Sequence, residues 1–385
     1  MKAIVAIDSF KGSLTSLHAG TAVAEAIRAV YPDAEVKVFP LADGGEGTVA
    51  AVVAALGGRL CTATVTGPLG DPITAEYGVI PDRHLAVIEM SAAAGITLLP
   101  EEKRNPLNTT TYGVGELILH AITQWDCRHF LIGIGGSATN DGGIGMLAAL
   151  GFSFLDKNGD TVPPYGRGLR DIASIGTDGC PPILRECRFD IACDVRNPLC
   201  GEFGCSRIYG PQKGATETII TDMDAWLSRY AALTATHFKN ADPDFPGAGA
   251  AGGLGFAFLS YLGASLTSGI ELVIRVTELE AQMKDADIVI TGEGRLDAQS
   301  CMGKAPIGVA KAAKKYGKPV IAFSGAVKRD ATRCNEHGID AYFPILRTPC
   351  TTEEAMEPQT AYENLRDTAV QAFRLIRTFS KSRED

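Results

Sequence analysis

Four short apolar runs of this sequence are each followed by polar side chains that suit phosphate or metal chemistry. The four groups are Asp8, Ser9 and Lys11; Asp43 and Glu46; residues 137–141; and Glu293, Arg295 and Asp297. Carboxylate oxygens are the ligands that Mg²⁺ prefers, whereas Lys and Arg bind phosphate and carboxylate groups. Because ligands of an open parallel α/β sheet lie beyond the carboxyl ends of its strands, we expect these groups to line one cleft. Such a cleft suits a nucleotide, Mg²⁺ and a small acid.

The most distinctive of these segments is the loop at residues 133–145, GIGGSATNDGGIG, which follows the apolar run 130–132. It predicts a strand, a loop and the start of a helix. Glycines let the backbone turn and expose N–H groups, and the helix start adds a positive dipole end, so an anion is favoured there. We therefore predict that Gly135, Gly136, Ser137 and Asn140 bind phosphate oxygens and that Asp141 is a metal ligand.

Two other interpretations of the same loop stay open. The loop could serve only to reverse the chain, with Asn140 or Asp141 as the N-cap of the next helix. Alternatively, residues 133–138 fit the dinucleotide fingerprint G-x-G-x-x-A, and Asp156 follows at about 20 residues, where a ribose-binding acid would lie. Against the fingerprint, residues 140–143 are polar and Gly-rich where it requires a continuous helix.

Phosphoryl transfer depends more on positioning and charge neutralisation than on covalent chemistry. Asp194 follows a predicted strand at residues 189–193, and we predict it to be the general base or a metal ligand. Arg295 is predicted to hold a substrate carboxylate, the alternative being a surface ion pair with Glu293 or Asp297. Lys304 does not belong to a Walker A motif, because Ala305 follows it and the first glycine is missing at the required spacing.

Length and composition indicate the class of protein in which these side chains lie. A chain of 385 residues with 45% hydrophobic and 21% charged residues predicts two globular domains. The net charge of −9 argues against nucleic acid or an acidic membrane as partner. Ten scattered cysteines without a C-x-x-C pair are typical of reduced thiols in the cytoplasm. The uncharged stretch 247–270 is rich in glycine, so we expect a buried helix there instead of a membrane span.

Strands and helices alternate over most of the chain, which predicts an α/β fold with a parallel sheet. Residues 60–80 alternate apolar and polar side chains around a Gly/Pro turn, and we expect a hairpin outside that sheet. After residue 150 the alternation lapses for more than a hundred residues, which indicates a second domain inserted into the first. The predicted strands are 3–7, 35–41, 85–90, 130–132, 152–155, 189–193, 287–291, 319–324 and 342–346.

Eight sequence blocks together resemble the bacterial glycerate kinase family, type 1, in the family's order from residue 1 to about 325. The blocks are DSFKGSL from Asp8, ADGGEGT from Ala42, GIGGSATNDGG from Gly133, CDVRNPLCG from Cys193, GPQKGA from Gly210, GAGAAGGLG from Gly247, TSGIE from Thr267, and TGEGRLD from Thr291 followed by GKAP. Two departures are Ile7, where the family often has proline, and Gly12, where an acidic residue is frequent. Gly12 leaves the role of the neighbouring Lys11 open.

The resemblance implies ATP- and Mg²⁺-dependent phosphorylation of D-glycerate, with 2-phosphoglycerate favoured over 3-phosphoglycerate as the product. It also implies a Rossmann-like or flavodoxin-like parallel sheet domain with a second α/β domain inserted. We assign residues 1–58, 85–150 and 280–385 to the first domain, and residues 59–84 and 151–279 to the second. An NAD-dependent enzyme that uses loop 133–138 and a non-catalytic protein that binds a phosphorylated metabolite remain as alternatives.

The residue roles that follow are hypotheses from the chemistry of the side chains. Glycerate's carboxylate is expected at Arg295 or Lys11, and Asp194 is expected to orient or deprotonate the attacking hydroxyl. We expect D-glycerate and ATP as the partners of this protein, and a homodimer is considered as its assembly. The other predicted substrate or phosphate ligands are Asp8, Ser9, Gly135, Gly136, Ser137, Asn140, Lys213, Glu293 and Lys304, and the predicted metal ligands are Asp141 and Asp194.

Overall fold

The computed structural model of the protein describes residues 1–381, in which strands and helices alternate as the sequence predicts. The strands are β1 (Lys2–Val5), β2 (Glu35–Val38), β3 (Arg59–Thr66), β4 (Pro72–Ile80), β5 (Leu85–Glu89), β6 (His129–Gly133), β7 (Ser153–Leu155), β8 (Ser174–Gly176), β9 (Arg188–Ala192), β10 (Ser265–Thr267), β11 (Ile288–Leu296), β12 (Val320–Val327) and β13 (Ala341–Pro344). The helices are α1 (Ser16–Val30), α2 (Thr48–Leu56), α3 (Ser91–Ala94), α4 (Tyr112–Trp125), α5 (Ile144–Ala149), α6 (Cys205–Tyr209), α7 (Glu217–Ala235), α8 (Ala250–Leu262), α9 (Gly269–Val276), α10 (Leu279–Met283), α11 (Ala305–Lys314), α12 (Arg333–Glu336), α13 (Thr352–Met356) and α14 (Pro358–Lys381).

The chain forms two compact units. Unit 1 contains Met1–Asp43, Ala54–Leu56 and the described residues from Ile270 onward, and unit 2 contains Gly44–Val53 and Gly57–Gly269. Unit 2 is therefore inserted in the sequence of unit 1, as the predicted fold class has it, but it begins at Gly44 and not after residue 150.

Unit 1 is built on a parallel sheet of five strands in the order β2-β1-β11-β12-β13. Numbered within this unit alone, the order is 2-1-3-4-5, which is the flavodoxin-like order. Successive side chains of a strand point to opposite faces, and one face of this sheet carries Val5, Ile290 and Phe323. Apolar side chains of α1 and α14 cover that face and complete a buried core.

The neighbouring strands β1 and β11 mark the topological switch point of this sheet, because the chain leaves them toward opposite edges. Asp8 follows the end of β1, and Glu293 lies toward the end of β11. Their backbones stay paired to this point, since the amide of Asp8 donates to the carbonyl of Gly292 at 3.0 Å. Ligands of such sheets bind at the switch point, so the fold places both carboxylates where a ligand is expected.

Unit 2 has a six-stranded sheet in the order β3-β4-β5-β6-β9-β10. The pairs β5/β6, β6/β9 and β9/β10 are parallel, whereas β3, β4 and β5 pair antiparallel. The core of the unit contains apolar side chains of α4, α7 and α8 together with stacked rings of Phe130 and Phe189, whose centroids lie 5.0 Å apart. Strands β7 and β8 form a separate hairpin.

The predicted domain boundaries differ from these units. Residues 85–150 were assigned to the first domain, but β5 and β6 pair with β4 and β9, which places this segment in unit 2. The hairpin predicted at 60–80 is present as β3 and β4. It was expected outside the sheet that contains residues 85–90, but β4 pairs with β5, so the hairpin belongs to the same sheet as that strand. An apolar strand followed by a helix has the same sequence pattern whichever sheet it joins. The boundary between the two units could therefore not be recognised from the sequence.

The glycine-rich stretch 247–270 contains the buried helix α8, as expected. Its first turns include left-handed residues at 251–253, and the absence of side chains at Gly252 and Gly253 lets the backbone approach residues 139–142 closely. None of the helices within residues 1–381 combines the length and apolarity that crossing a bilayer needs.

Candidate functional site

A cleft of about 590 Å³ opens in unit 1 at the switch point between β1 and β11. We call the charged residues that line it the charged cluster. Its members are Asp8, Lys11, Asp43, Glu293, Arg295 and Lys304. Ser9 also lines the cleft. The structure thus brings together the predicted residues that follow β1 and those on β11, although they are separated by almost three hundred positions in the sequence.

Asp8 is the most perturbed carboxylate of the charged cluster. Its side chain is 6% exposed, and its Oδ1 accepts a hydrogen bond from the amide of Ser9 at 2.7 Å. Burial raises the pKa of Asp8 to about 7, and the negative charges of Asp43 and Glu293 add to this, while the Ser9 amide and Lys11 act in the opposite direction. Crowded, poorly solvated carboxylates resist ionisation, so a cation bound here would relieve their repulsion.

Two further carboxylates of β11 and the turn after it have opposite environments. Glu293 is 8% exposed and accepts a hydrogen bond from the hydroxyl of Ser300, and burial raises its pKa. Burial would also raise the pKa of Asp297, but the amide of Gln299 and nearby cations outweigh it and lower that pKa. Asp297 is therefore an anionic partner for nearby cations, whereas burial makes the Glu293 carboxylate harder to ionise than a solvated one.

The cations of the charged cluster are already close to its carboxylates. Lys11 Nζ lies 3.5 Å from Asp43 Oδ2, and although burial would lower the pKa of Lys11, the charges of Asp43 and Asp8 raise it overall. Arg295 Nε lies 3.3 Å from Asp297 Oδ2, which is the ion pair considered as the alternative for this residue. The Arg295 side chain is nonetheless 59% exposed and lines the cleft, so the pair leaves it accessible to a ligand.

Two residues of the cleft were not among the predicted ligands. Asp43 was expected in the cleft but was not named as a ligand; it lies before helix α2, which begins at Thr48 with Gly47 as its N-cap. The hydroxyl of Ser13 is buried, and within residues 1–381 it has no hydrogen-bond partner, although Ser13 lines the cleft. The signal for both residues was the polar block itself, DSFKGS and ADGG, of which only some positions were selected.

The Gly-rich loop at 133–145 lies in unit 2, and its polar side chains point inward. Asp141 is fully buried, and its two oxygens accept hydrogen bonds from Thr111 N and Oγ1 at 2.8 Å each, Gly143 N at 3.1 Å and Gly145 N at 3.3 Å. Burial raises the pKa of Asp141, and these donors partly oppose the shift. Gly143 and Gly145 at the start of α5 direct their N–H groups at Asp141, whereas the predicted phosphate ligands of this loop are Gly135, Gly136, Ser137 and Asn140. Both oxygens of Asp141 are therefore taken up by protein donors, which favours a structural role over the predicted role as a metal ligand.

Lys213 holds the same loop from inside unit 2. Its Nζ donates to Ser137 Oγ at 2.8 Å and to the carbonyl of Thr139 at 2.6 Å. Burial lowers the pKa of Lys213 to about 8. The buried side chain of Asn140 donates a hydrogen bond from its Nδ2 to Ser206 Oγ at 2.8 Å. These contacts fix the loop conformation, so Ser137, Asn140 and Lys213 position the loop in this structure.

The exposed part of the loop, Gly135 and Gly136, lies at the carboxyl edge of the unit 2 sheet. Asp194 is also exposed at this edge, two residues after β9, and its Oδ1 accepts a hydrogen bond from the amide of Gly269 at 3.1 Å. The backbone of Gly44 crosses the strand ends, because a Cβ at Gly133 would lie 2.2 Å from the carbonyl oxygen of Gly44. Only glycine allows this close approach.

The predicted residues therefore fall into two groups, each at the edge of its own sheet. Unit 1 holds Asp8, Ser9, Lys11, Glu293, Arg295 and Lys304, and unit 2 holds Gly135, Gly136, Ser137, Asn140, Asp141, Asp194 and Lys213. We expected the polar groups at the strand ends to share one sheet edge, but they lie at the edges of two different sheets. Among residues 1–381, no three His, Cys, Asp or Glu side chains are arranged as a preformed metal site.

The dinucleotide interpretation of residues 133–138 is not supported. The fingerprint requires the second strand to follow beside the first, but β7 pairs only with β8 among the described strands and lies outside the sheet that contains β6. Asp156 closes a surface turn, where it accepts hydrogen bonds from the amides of Asn158 and Asp160.

Comparison with known proteins identifies the family. The sequence model of the family described as "Glycerate kinase family" matches residues 3–377. The chain is 47% identical over 362 residues to a glycerate kinase of Bacillus subtilis strain 168, covering 94% of each chain. It is 48% identical over 365 residues to a glycerate 2-kinase of Escherichia coli K12, covering 95% of each chain. A crystal structure described as glycerate kinase 2 of Salmonella typhimurium LT2 superposes with a TM-score of 0.91 at 46% identity over 99% of both chains. The chain belongs to the glycerate kinase family.

Proposed function

We propose that this protein transfers the γ-phosphoryl group of ATP to D-glycerate, with 2-phosphoglycerate as the product. The observation that carries the proposal is the charged cluster at the β1/β11 switch point, within a chain that belongs to the glycerate kinase family. Cations and carboxylates at one switch point suit a polyphosphate and its counter-ion. The relatives include a glycerate 2-kinase of Escherichia coli K12, which supports the 2-position.

A Mg²⁺ ion fits the carboxylates of this cleft. Burial and mutual repulsion raise the pKa values of Asp8 and Glu293, which is the environment that a bound cation stabilises. Mg²⁺ keeps several waters and uses one or two protein carboxylates, so the cleft does not need a preformed cage. Asp8 and Asp43 would hold the ion, which would neutralise phosphate charge. Asp194, which belongs to unit 2, stays a proposed metal ligand.

The remaining roles follow from accessible charge. Arg295 or Lys11 binds the carboxylate of glycerate, since both side chains are more than half exposed and line the cleft. Lys304 and Ser9 contact phosphate oxygens in the cleft of unit 1. Gly135 and Gly136, whose backbones are exposed in unit 2, stay proposed phosphate ligands. Asp194 orients or deprotonates the attacking hydroxyl, because it is an accessible carboxylate at a strand end.

A cytoplasmic location belongs to the same proposal. All ten cysteines are free thiols, and reduced thiols are typical of that compartment.

Phosphorus NMR tests activity and regiochemistry in one experiment. The protein is incubated with ATP, Mg²⁺ and D-glycerate, and the product spectrum is recorded with proton coupling. A phosphate on the 2-position is coupled to a single methine proton and gives a doublet, whereas a phosphate on the 3-position is coupled to a methylene group and gives a triplet. We expect the doublet. A triplet would overturn the 2-position, and the absence of a phosphoglycerate signal would overturn the kinase proposal.

A further inference from the structure

The cleft of unit 1 has a second wall whose chemistry differs from that of the charged cluster. After β13 the chain contributes Ile345 and Leu346, and helix α13 with the residues before it contributes the rest. We call this the uncharged wall; it consists of Ile345, Leu346, Cys350, Thr351, Thr352, Ala355 and Met356. Leu346 and Met356 are 42% and 39% exposed, which is high for large apolar side chains that line a concave surface. The wall therefore offers apolar area to a ligand.

The cleft is larger than a three-carbon acid needs. Ligand pockets of about 300 to 1,000 Å³ usually hold molecules of drug size. The cleft, at about 590 Å³, lies in the middle of that range. Glycerate has about seven non-hydrogen atoms and would leave most of this volume to water, whereas a nucleoside triphosphate is of the size that such pockets hold.

The wall is held in place by local structure. Thr351 is the N-cap of α13, and a capping box joins it to Glu354, whose side chain accepts from the Thr351 amide at 2.8 Å. Met356 at the end of this helix lies over Gly12, because a Cβ at Gly12 would be 2.8 Å from Met356 Cε. Gly12 is left-handed at φ +77° and directly follows Lys11. The missing side chain at Gly12 thus lets the uncharged wall meet the loop that carries Lys11.

We propose that the uncharged wall binds the nucleobase of ATP, with the phosphates directed toward the charged cluster. The inference rests on the proposed kinase function and assigns the nucleotide, not glycerate, to the long axis of this cleft. A ligand that matches both walls is charged at one end and apolar at the other. A nucleotide meets both conditions, and the thioether of Met356 suits contact with an aromatic ring.

Steady-state kinetics separate base binding from acid binding. Leu346→Ala and Met356→Ala are each expected to raise KM for ATP about 5- to 20-fold, as loss of one apolar contact predicts. We expect kcat and KM for glycerate to stay within about twofold. Leu375→Ala is the matched control, since Leu375 is 55% exposed on α14 and does not line the cleft. An equal rise in KM for both substrates would overturn the assignment, as would an unchanged KM for ATP.

A thiol reaction tests the same assignment without activity. Cys350 is the one exposed cysteine of the ten, and it lies in the uncharged wall. An aromatic disulfide reagent is expected to modify it in a fast phase that Cys350→Ser abolishes. ADP with Mg²⁺ should slow this phase at least tenfold, and glycerate alone should not. Protection by glycerate, or none by ADP, would overturn the inference. Protection by ADP in a protein that forms no phosphoglycerate would instead overturn the kinase proposal and leave the base site standing.

Discussion

Replacing Asp8 by Asn is expected to stabilise the free protein while it impairs catalysis. The raised pKa of Asp8, about 7 against an ordinary 3.8, means that the folded state resists the charge on this carboxylate. The difference of about 3 units corresponds to about 4 kcal/mol. Asn keeps the shape of the side chain, and its Oδ1 can still accept the hydrogen bond of the Ser9 amide. The substitution removes the unfavourable charge and little else.

The sign of the pH dependence follows from proton binding. Between pH 3.8 and about 7 the folded state holds a proton on Asp8 that the unfolded chain has released, so stability falls as the pH rises through this window. The penalty in the parent protein is about 2 kcal/mol at about pH 5.5 and about 4 kcal/mol at about pH 8.5. The stability advantage of Asp8→Asn should therefore grow by about 2 kcal/mol between these two pH values.

Urea unfolding followed by circular dichroism at the two pH values measures this advantage. Asp297→Asn is the matched control, because the pKa of Asp297 is lowered and this carboxylate is ionised in both states across the range. Its effect on stability should be a loss that does not change with pH. An advantage of Asp8→Asn that is the same at both pH values, or a variant less stable than the parent at the higher pH, would refute the reasoning.

Three further substitutions test other residues of the two units. Asp194→Asn should lower kcat by about 10²- to 10⁴-fold with KM for glycerate almost unchanged, and a wild-type kcat would remove Asp194 from the chemistry. Asp141→Ala should lower the free energy of unfolding by about 3 kcal/mol or more, because four buried donors lose their acceptor; a stable variant with weakened Mg²⁺ binding would contradict this. Gly44→Ala should lower the melting temperature more than Gly47→Ala. Both glycines are left-handed, but only at Gly44 does a new Cβ meet a neighbour, at 2.4 Å from Ala192; equal effects would mean that the contact relaxes.

The local pattern of the chain determined a large part of what the structure contains. Apolar runs of strand length followed by helical spacing predicted the alternation of strands and helices. The lapse after residue 150 indicated an inserted unit, although that unit begins much earlier, at Gly44. The polar blocks at strand ends predicted where side chains with phosphate chemistry would lie, and Asp8, Lys11 and Glu293 do line one cleft. These features depend on neighbours within a few residues, which the sequence displays directly.

Tertiary structure alone decided which sheet each strand joined and which way each loop side chain pointed. Strands β5 and β6 carry the same apolar pattern as β1 and β11, so their place in the unit 2 sheet depends on pairing partners that are distant in sequence. Asp141 likewise points inward because Thr111 and the amides of Gly143 and Gly145 donate hydrogen bonds to it. The residues next to Asp141 in the sequence do not indicate that Thr111 is its partner. Local periodicity encodes burial, whereas strand pairing and hydrogen-bond partners are set by long-range contacts that only the folded chain creates.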